Sequence, residues 1–214
     1  MSRTISLTLL FVAFLVSKTE GQSPDMRRLV LRGGVVVDLP RAWVLRDSSN
    51  LQSLNDTVVS HLRNMNPEWA PLLVDRSRAS MILVADGPAW TTATLGIGPA
   101  PGVTPGYFAT LSPHQLNAYR TALCQLLTDA QRVQHLPAPT CGVLVQDSAQ
   151  HRVVLVMQYD REEARGDVHV FAVQVPTTDA IVTLTLMSRP ETAKDNAPLF
   201  RRLWRSLTVP DTLR

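Results

Sequence analysis

The sequence predicts an α+β protein: an antiparallel sheet with a C-terminal meander, covered by helices on both faces as an α/β/α sandwich. Three observations lead there. Beyond Cys141, apolar runs at 143–146, 153–159, 168–175 and 181–187 are separated by turns at 147–150, 160–166 and 176–180. Connections that short join antiparallel neighbours, so these runs form a four-stranded meander. Registered symmetrically about the turns, Val154, Val156, Val170, Ala172, Leu184 and Leu186 share one face. Val153, Leu155, Met157, Phe171 and Val173 share the other with Thr183, Thr185 and His169. Both faces are apolar enough to require cover, and amphipathic helices lie before and after the meander to supply it.

The elements follow in order. Val35-Val36-Val37-Asp38-Leu39 reads as a strand stopped by Pro40, with Trp43 just beyond. Leu51, Leu54, Val58, Leu62 and Met65 recur at helical spacing, and Asn66-Pro67 can cap a second helix carrying Trp69, Leu72 and Leu73. Buried strands are expected at 79–85 and 90–97, then a glycine–proline loop over 96–106. Ser112-Pro113-His114-Gln115 matches a capping box, and Leu116, Tyr119, Leu123, Leu126, Leu127, Ala130 and Val133 line one face of a helix to about Gln134. Ser188-Arg189-Pro190-Glu191 reads as another capping box, opening a helix with Ala193, Ala197, Phe200, Trp204 and Leu207 on one side. Pro198 should kink or restart that helix.

Composition limits what the protein can be. Of 214 residues 45% are hydrophobic and only 18% charged, which excludes a disordered chain. Residues 1–21 have the layout of a secretory signal peptide: Arg3, an apolar run from Ile5 to Val16, then small Thr19 and Gly21 before a cut at Gln22. That run is too short to span a bilayer as an ordinary helix, although retention as an anchor is the competing reading. The remainder, 22–214, is expected to be one α+β domain with a long middle insertion at about 66–139, exported to the periplasm or secreted, with no stable membrane span after cleavage. In an oxidising compartment Cys124 and Cys141, the only cysteines, most often pair; free thiols are the alternative.

Lys18 and Lys194 are the only lysines among 21 basic residues. The arginine clusters at Arg27, Arg28 and Arg32, at Arg76 and Arg78, and at Arg201, Arg202 and Arg205 are mixed with acids and read as solvated faces, so nucleic acid is not an expected partner. No nucleophile elbow, zinc-protease helix, phosphate-cradling loop or metal-spaced cysteine pair occurs, so no catalytic residue, metal or cofactor is assigned. Asp167 and His169 share a strand face as a candidate acid–base pair, yet His169 lies among apolar positions that suit a core histidine. Asp160, Glu162 and Glu163 with Arg161 and Arg165 read as a solvated turn. Asn55-Asp56-Thr57 is a glycosylation sequon, relevant only to a eukaryotic secretory route.

Two end segments carry a family likeness. The strand running into Val37-Asp38-Leu39-Pro40 with Trp43 after it resembles the opening of the PsbP/DcrB-like superfamily. Val182-Thr183-Leu184-Thr185-Leu186, then Pro190-Glu191, a helix and Ser206-Leu207-Thr208-Val209, resembles that family's ending. The resemblance implies an exported bacterial envelope protein of binding or assembly type, with no catalytic residues to carry over. Its expected role is to bind a protein partner as accessory, chaperone or inhibitor; a small-molecule carrier or a hydrolase with an unfamiliar site is the alternative. Contact is expected to centre on residues 87–111, where Trp90, Tyr107 and Phe108 flank the glycine–proline loop, with the exposed sheet edge or the helix carrying Arg201 and Arg205 as the next candidate. The competing reading folds those aromatics back onto the core.

Overall fold

The computed structural model describes residues 24–46, 80–163 and 165–213. The helices expected at 51–65 and from Asn66-Pro67, the leader at 1–21 and the sequon at Asn55 lie outside the described residues. Among the described residues the main sheet has seven antiparallel strands in the order β3-β4-β5-β9-β8-β7-β6. They are β3 (Val44–Leu45), β4 (Ser80–Asp86), β5 (Thr92–Pro99), β6 (Thr140–Ala149), β7 (Arg152–Glu163), β8 (Gly166–Thr177) and β9 (Ala180–Ser188). A two-stranded ribbon, β1 (Met26–Val30) with β2 (Val36–Pro40), precedes it. Two α-helices are described, α1 (Pro113–Val133) and α2 (Ala193–Ser206).

This corrects the expected fold class. Among the described residues the protein is mostly β, a seven-stranded antiparallel sheet plus a small ribbon with two α-helices, and not a helix-covered α/β/α sandwich. On the first face, Val154, Val156, Phe171, Val173, Leu184 and Leu186 pack with Phe200, Leu203 and Trp204 of α2. The ribbon supplies Val35, Val37 and Leu39 to the same core. It is tied to the chain end by reciprocal backbone bonds between Val36 and Thr208, both 2.8 Å. On the second face α1 packs against Leu155, Met157, Tyr159 and Val170, all from β7 and β8. Threonines 92, 94, 183 and 185 continue that face across β5 and β9.

The meander itself forms in the expected order, but β8 is turned over relative to the expected faces. Val156 pairs with Val173, and Val173 with Leu184. The turns are shorter than the composition suggested: Glu163 pairs with Gly166 and Thr177 with Ala180, so only two residues connect each pair of strands. Moving the hairpin centre by an odd half-step changes register parity, and that exchanges the faces of a strand.

Local signals decide the helices. In α1 the Ser112 hydroxyl accepts from the Gln115 amide at 3.3 Å, while the Gln115 side chain accepts from the Ser112 amide at 2.8 Å. The second expected capping box does not form. β9 runs on through Ser188, which is paired with His169, and its buried hydroxyl has no hydrogen-bond partner. Pro190 instead opens a 3-10 turn, Pro190–Thr192, and α2 then runs through Pro198 without a break. A disulfide joins Cys124 of α1 to Cys141 of β6, with Cα atoms 6.1 Å apart.

Candidate functional site

One end of the sheet gathers the β4–β5 turn, the β7–β8 turn and the end of β9 around a cleft of about 680 Å³. Val84, Val168 and Met187 give it an apolar floor, and Arg46, Asp86, Glu163, Arg165 and Arg189 give it a charged rim. Trp90 stands at its mouth, 55% exposed.

The β4–β5 turn is built to hold Trp90 out. Gly87 donates to the Thr91 carbonyl at 2.7 Å, and the Thr91 amide and hydroxyl both donate to the Pro88 carbonyl, at 3.1 and 2.7 Å. Between them Ala89 and Trp90 have φ of 51° and 63°. Turns with positive φ at both central residues ordinarily use Asn-Gly, because a Cβ in the left-handed region costs about 1–2 kcal/mol per residue. Strain of this kind persists only where the surroundings enforce it, and it collects at binding and catalytic sites. The support here is Trp43, which is buried beneath the turn. A Cβ on Gly87 would lie 2.4 Å from the Trp43 ring and 2.3 Å from the Thr91 hydroxyl, so only glycine fits.

The opposite wall is arginine. Arg189 donates to the backbone carbonyls of Asp167 at 3.1 Å and Arg165 at 2.5 Å, which fastens its guanidinium to the β7–β8 turn. Gly166, with φ of 100°, lets it approach: a Cβ there would be 2.7 Å from Nη1. Held so, Arg189 lies 4.8 Å from the centre of the Trp90 ring, with Arg165 at 5.8 Å, both inside cation–π range. The carboxylates of the rim are already engaged. Asp86 takes both a 2.9 and a 3.2 Å bond from Arg46, which raises the Arg46 pKa, and Glu163 pairs with Arg161 at 2.5 Å. Among the described residues neither Arg165 nor Arg189 is in an ion pair. Thr92, which also lines the cleft, has a buried hydroxyl without a partner. The site therefore offers an aromatic surface and two cations that are in no ion pair with a described residue.

The other residues singled out from the sequence are elsewhere. Phe108 is fully buried against Leu155 and packs edge-on to Tyr119 at 5.8 Å, so it has no surface to present. Tyr107, beside it, is partly exposed. Burial pushes the Tyr119 phenol up to about 12, and its hydroxyl donates to the Gln174 side chain at 3.0 Å. Arg201 and Arg205 lie on exposed positions of α2, where Arg205 is 3.6 Å from Asp147. Sequence reasoning missed Arg165 and Arg189 as a pair because nothing in their spacing links them to Trp90.

A row of Asp160, His169 and Ser188 crosses three adjacent strands in register. His169 Nδ1 is 2.7 Å from Asp160, so Asp160 rather than Asp167 is its partner. These are the residue types of a nucleophilic triad, but Ser188 is fully buried and makes no bond to His169. A nucleophile needs both access and a base, and this serine has neither. Among the described residues no group of acids, histidines or cysteines could hold a metal ion, and no described helix is long and apolar enough to cross a membrane.

No family model matches the sequence, and no curated protein does. The fold is similar to that of cyanobacterial PsbP (CyanoP) from Synechocystis sp. PCC 6803, with a TM-score of 0.56, 12% identity, and coverage of 92% of this chain and 99% of that one. A protein of unknown function from Pseudomonas aeruginosa aligns over 59% of this chain and 78% of its own at 15% identity, with a TM-score of 0.39, too low to argue from. The chain thus has a PsbP-like fold.

Proposed function

We propose that this chain is a non-catalytic exported envelope protein that docks a protein partner at the cleft between Trp90 and the β7–β8 turn. The observation that carries this is the turn 88–91, where two residues with side chains occupy conformations that suit glycine, holding Trp90 exposed over Arg189. A tryptophan beside arginines, partly desolvated in a concave site, is the composition of a binding hot spot. The PsbP-like fold agrees with an accessory role but adds no partner of its own. Export is part of the proposal: the disulfide between Cys124 and Cys141 suits an oxidising compartment, and the leader layout of residues 1–21 supplies the route. Affinity capture from envelope extract with the wild type, Trp90→Ala and Arg201→Gln tests the site. A partner retained by Arg201→Gln and lost by Trp90→Ala supports it. Equal retention by all three would overturn it and return the 107–111 segment as the contact.

A further inference from the structure

We infer that the segment received by this cleft is acidic: an extended stretch of a partner protein carrying aspartate or glutamate, whose carboxylates engage Arg165 and Arg189 while neighbouring apolar side chains lie against Trp90 and the floor. The inference rests on the docking reading above and adds the chemistry of the ligand.

Charge is the first argument. The acids of the rim are neutralised by Arg46 and Arg161, which leaves two guanidinium groups at one wall without a carboxylate among the described residues. Arg189 is fixed by two backbone carbonyls before any ligand arrives, so little side-chain entropy remains to be lost when an anion binds. Arg165 makes no side-chain hydrogen bond to a described residue, and its planar fork is free to take a carboxylate in two parallel bonds. The second argument is shape. At about 680 Å³ the cleft lies within the roughly 300–1,000 Å³ of ordinary ligand pockets, and it is walled by two turns where a membrane-binding surface would be broad and open. Its floor of Val84, Val168 and Met187 asks for apolar side chains next to the carboxylate, as a peptide provides.

The test uses the full exported chain and fluorescently labelled decapeptides of alternating leucine with glutamate, glutamine or lysine, read by anisotropy. The glutamate peptide should bind at least about tenfold more tightly than the glutamine peptide, the lysine peptide should not bind, and raising the salt should weaken the complex. Arg165→Gln should lose about tenfold while the melting temperature falls by no more than roughly 2–4 °C, since its contact with the exposed Trp90 ring is weak. Arg165→Lys should recover part of the loss, and Arg201→Gln should lose nothing. Equal binding of the glutamate and glutamine peptides would overturn the inference. So would phosphatidylglycerol vesicles displacing the glutamate peptide while binding through Trp90, because the anion would then be a lipid. If partner capture depends on Trp90 but the glutamate peptide is ignored, the acidic ligand is wrong and the docking site stands. If capture is indifferent to Trp90, both fall.

Discussion

Replacing Ala89 with glycine should stabilise the protein although it removes a side chain. Ala89 has φ of 51° in the turn that holds Trp90. Releasing a non-glycine residue from the left-handed region returns about 1–2 kcal/mol, while the extra freedom of glycine in the unfolded chain costs about 0.4–1 kcal/mol. The exposed methyl group contributes little packing. The balance is about 0–1.6 kcal/mol in favour of Ala89→Gly, which for a chain of this size raises the melting temperature by up to roughly 6 °C. Thermal unfolding followed by circular dichroism measures this, with a urea titration to check that the dependence on denaturant is unchanged. Trp90→Gly is the companion. It gains the same relief at φ of 63°, but loses contacts with Arg189 and Arg165 that are worth about 0.5–1 kcal/mol at an exposed site, so its stability should stay close to that of the wild type while partner binding is lost. A fall of more than about 2 °C for Ala89→Gly would refute the claim that the turn is strained, and with it the argument that the fold holds Trp90 outward against a conformational cost.

Three further outcomes follow from the same geometry. Gly87→Ala should destabilise by about 1–3 kcal/mol, because its methyl group would overlap the Trp43 ring and the Thr91 hydroxyl; a melting curve coincident with the wild type would contradict that packing. Replacing Cys124 and Cys141 together with alanine should cost about 3 kcal/mol for a closed loop of this length, seen as a lower urea midpoint, whereas an unchanged midpoint would count against the bridge. At alkaline pH, the buried Tyr119 phenol titrates higher in the folded chain, at about 12, than the ordinary value of 10. Its stabilising contribution is therefore complete below pH 10 and is lost as pH rises towards 12, and Tyr119→Phe should flatten that part of a stability-against-pH curve.

What could be read from the sequence was local. The capping box of α1 satisfies its own backbone groups within four residues, and the meander strands announce themselves as apolar runs between short turns. Register was harder, because a strand apolar on both faces does not say which face is inward. Val170 and Ala172 are about as apolar as Phe171 and Val173, so only the turn length could choose, and Arg161 to Glu163, polar by composition, belong to β7. The ribbon strand β1 was missed because Arg27 and Arg28 sit inside it and mask its alternation. Trp90 stood out in the sequence as an aromatic near the glycine–proline loop and as the start of a strand, whereas it sits in the β4–β5 turn. Its arginine partners did not stand out, because Arg165 and Arg189 meet it only through the β5–β9–β8 neighbourhood, across about seventy-five and a hundred residues of chain. Nor did Ala-Trp resemble the turn it forms, since that turn normally advertises itself with glycine or asparagine.

Photo-crosslinking from inside the cleft tests the docking claim most directly. A benzophenone amino acid placed at position 89 leaves Trp90, Arg165 and Arg189 intact, and the same probe at position 201 reports on α2. Irradiation of intact cells should give a discrete adduct to one partner protein from position 89 and none from position 201, and Arg165→Gln in the same chain should diminish it. An adduct from position 201 alone, or none from position 89 while the partner is still captured, would contradict the account.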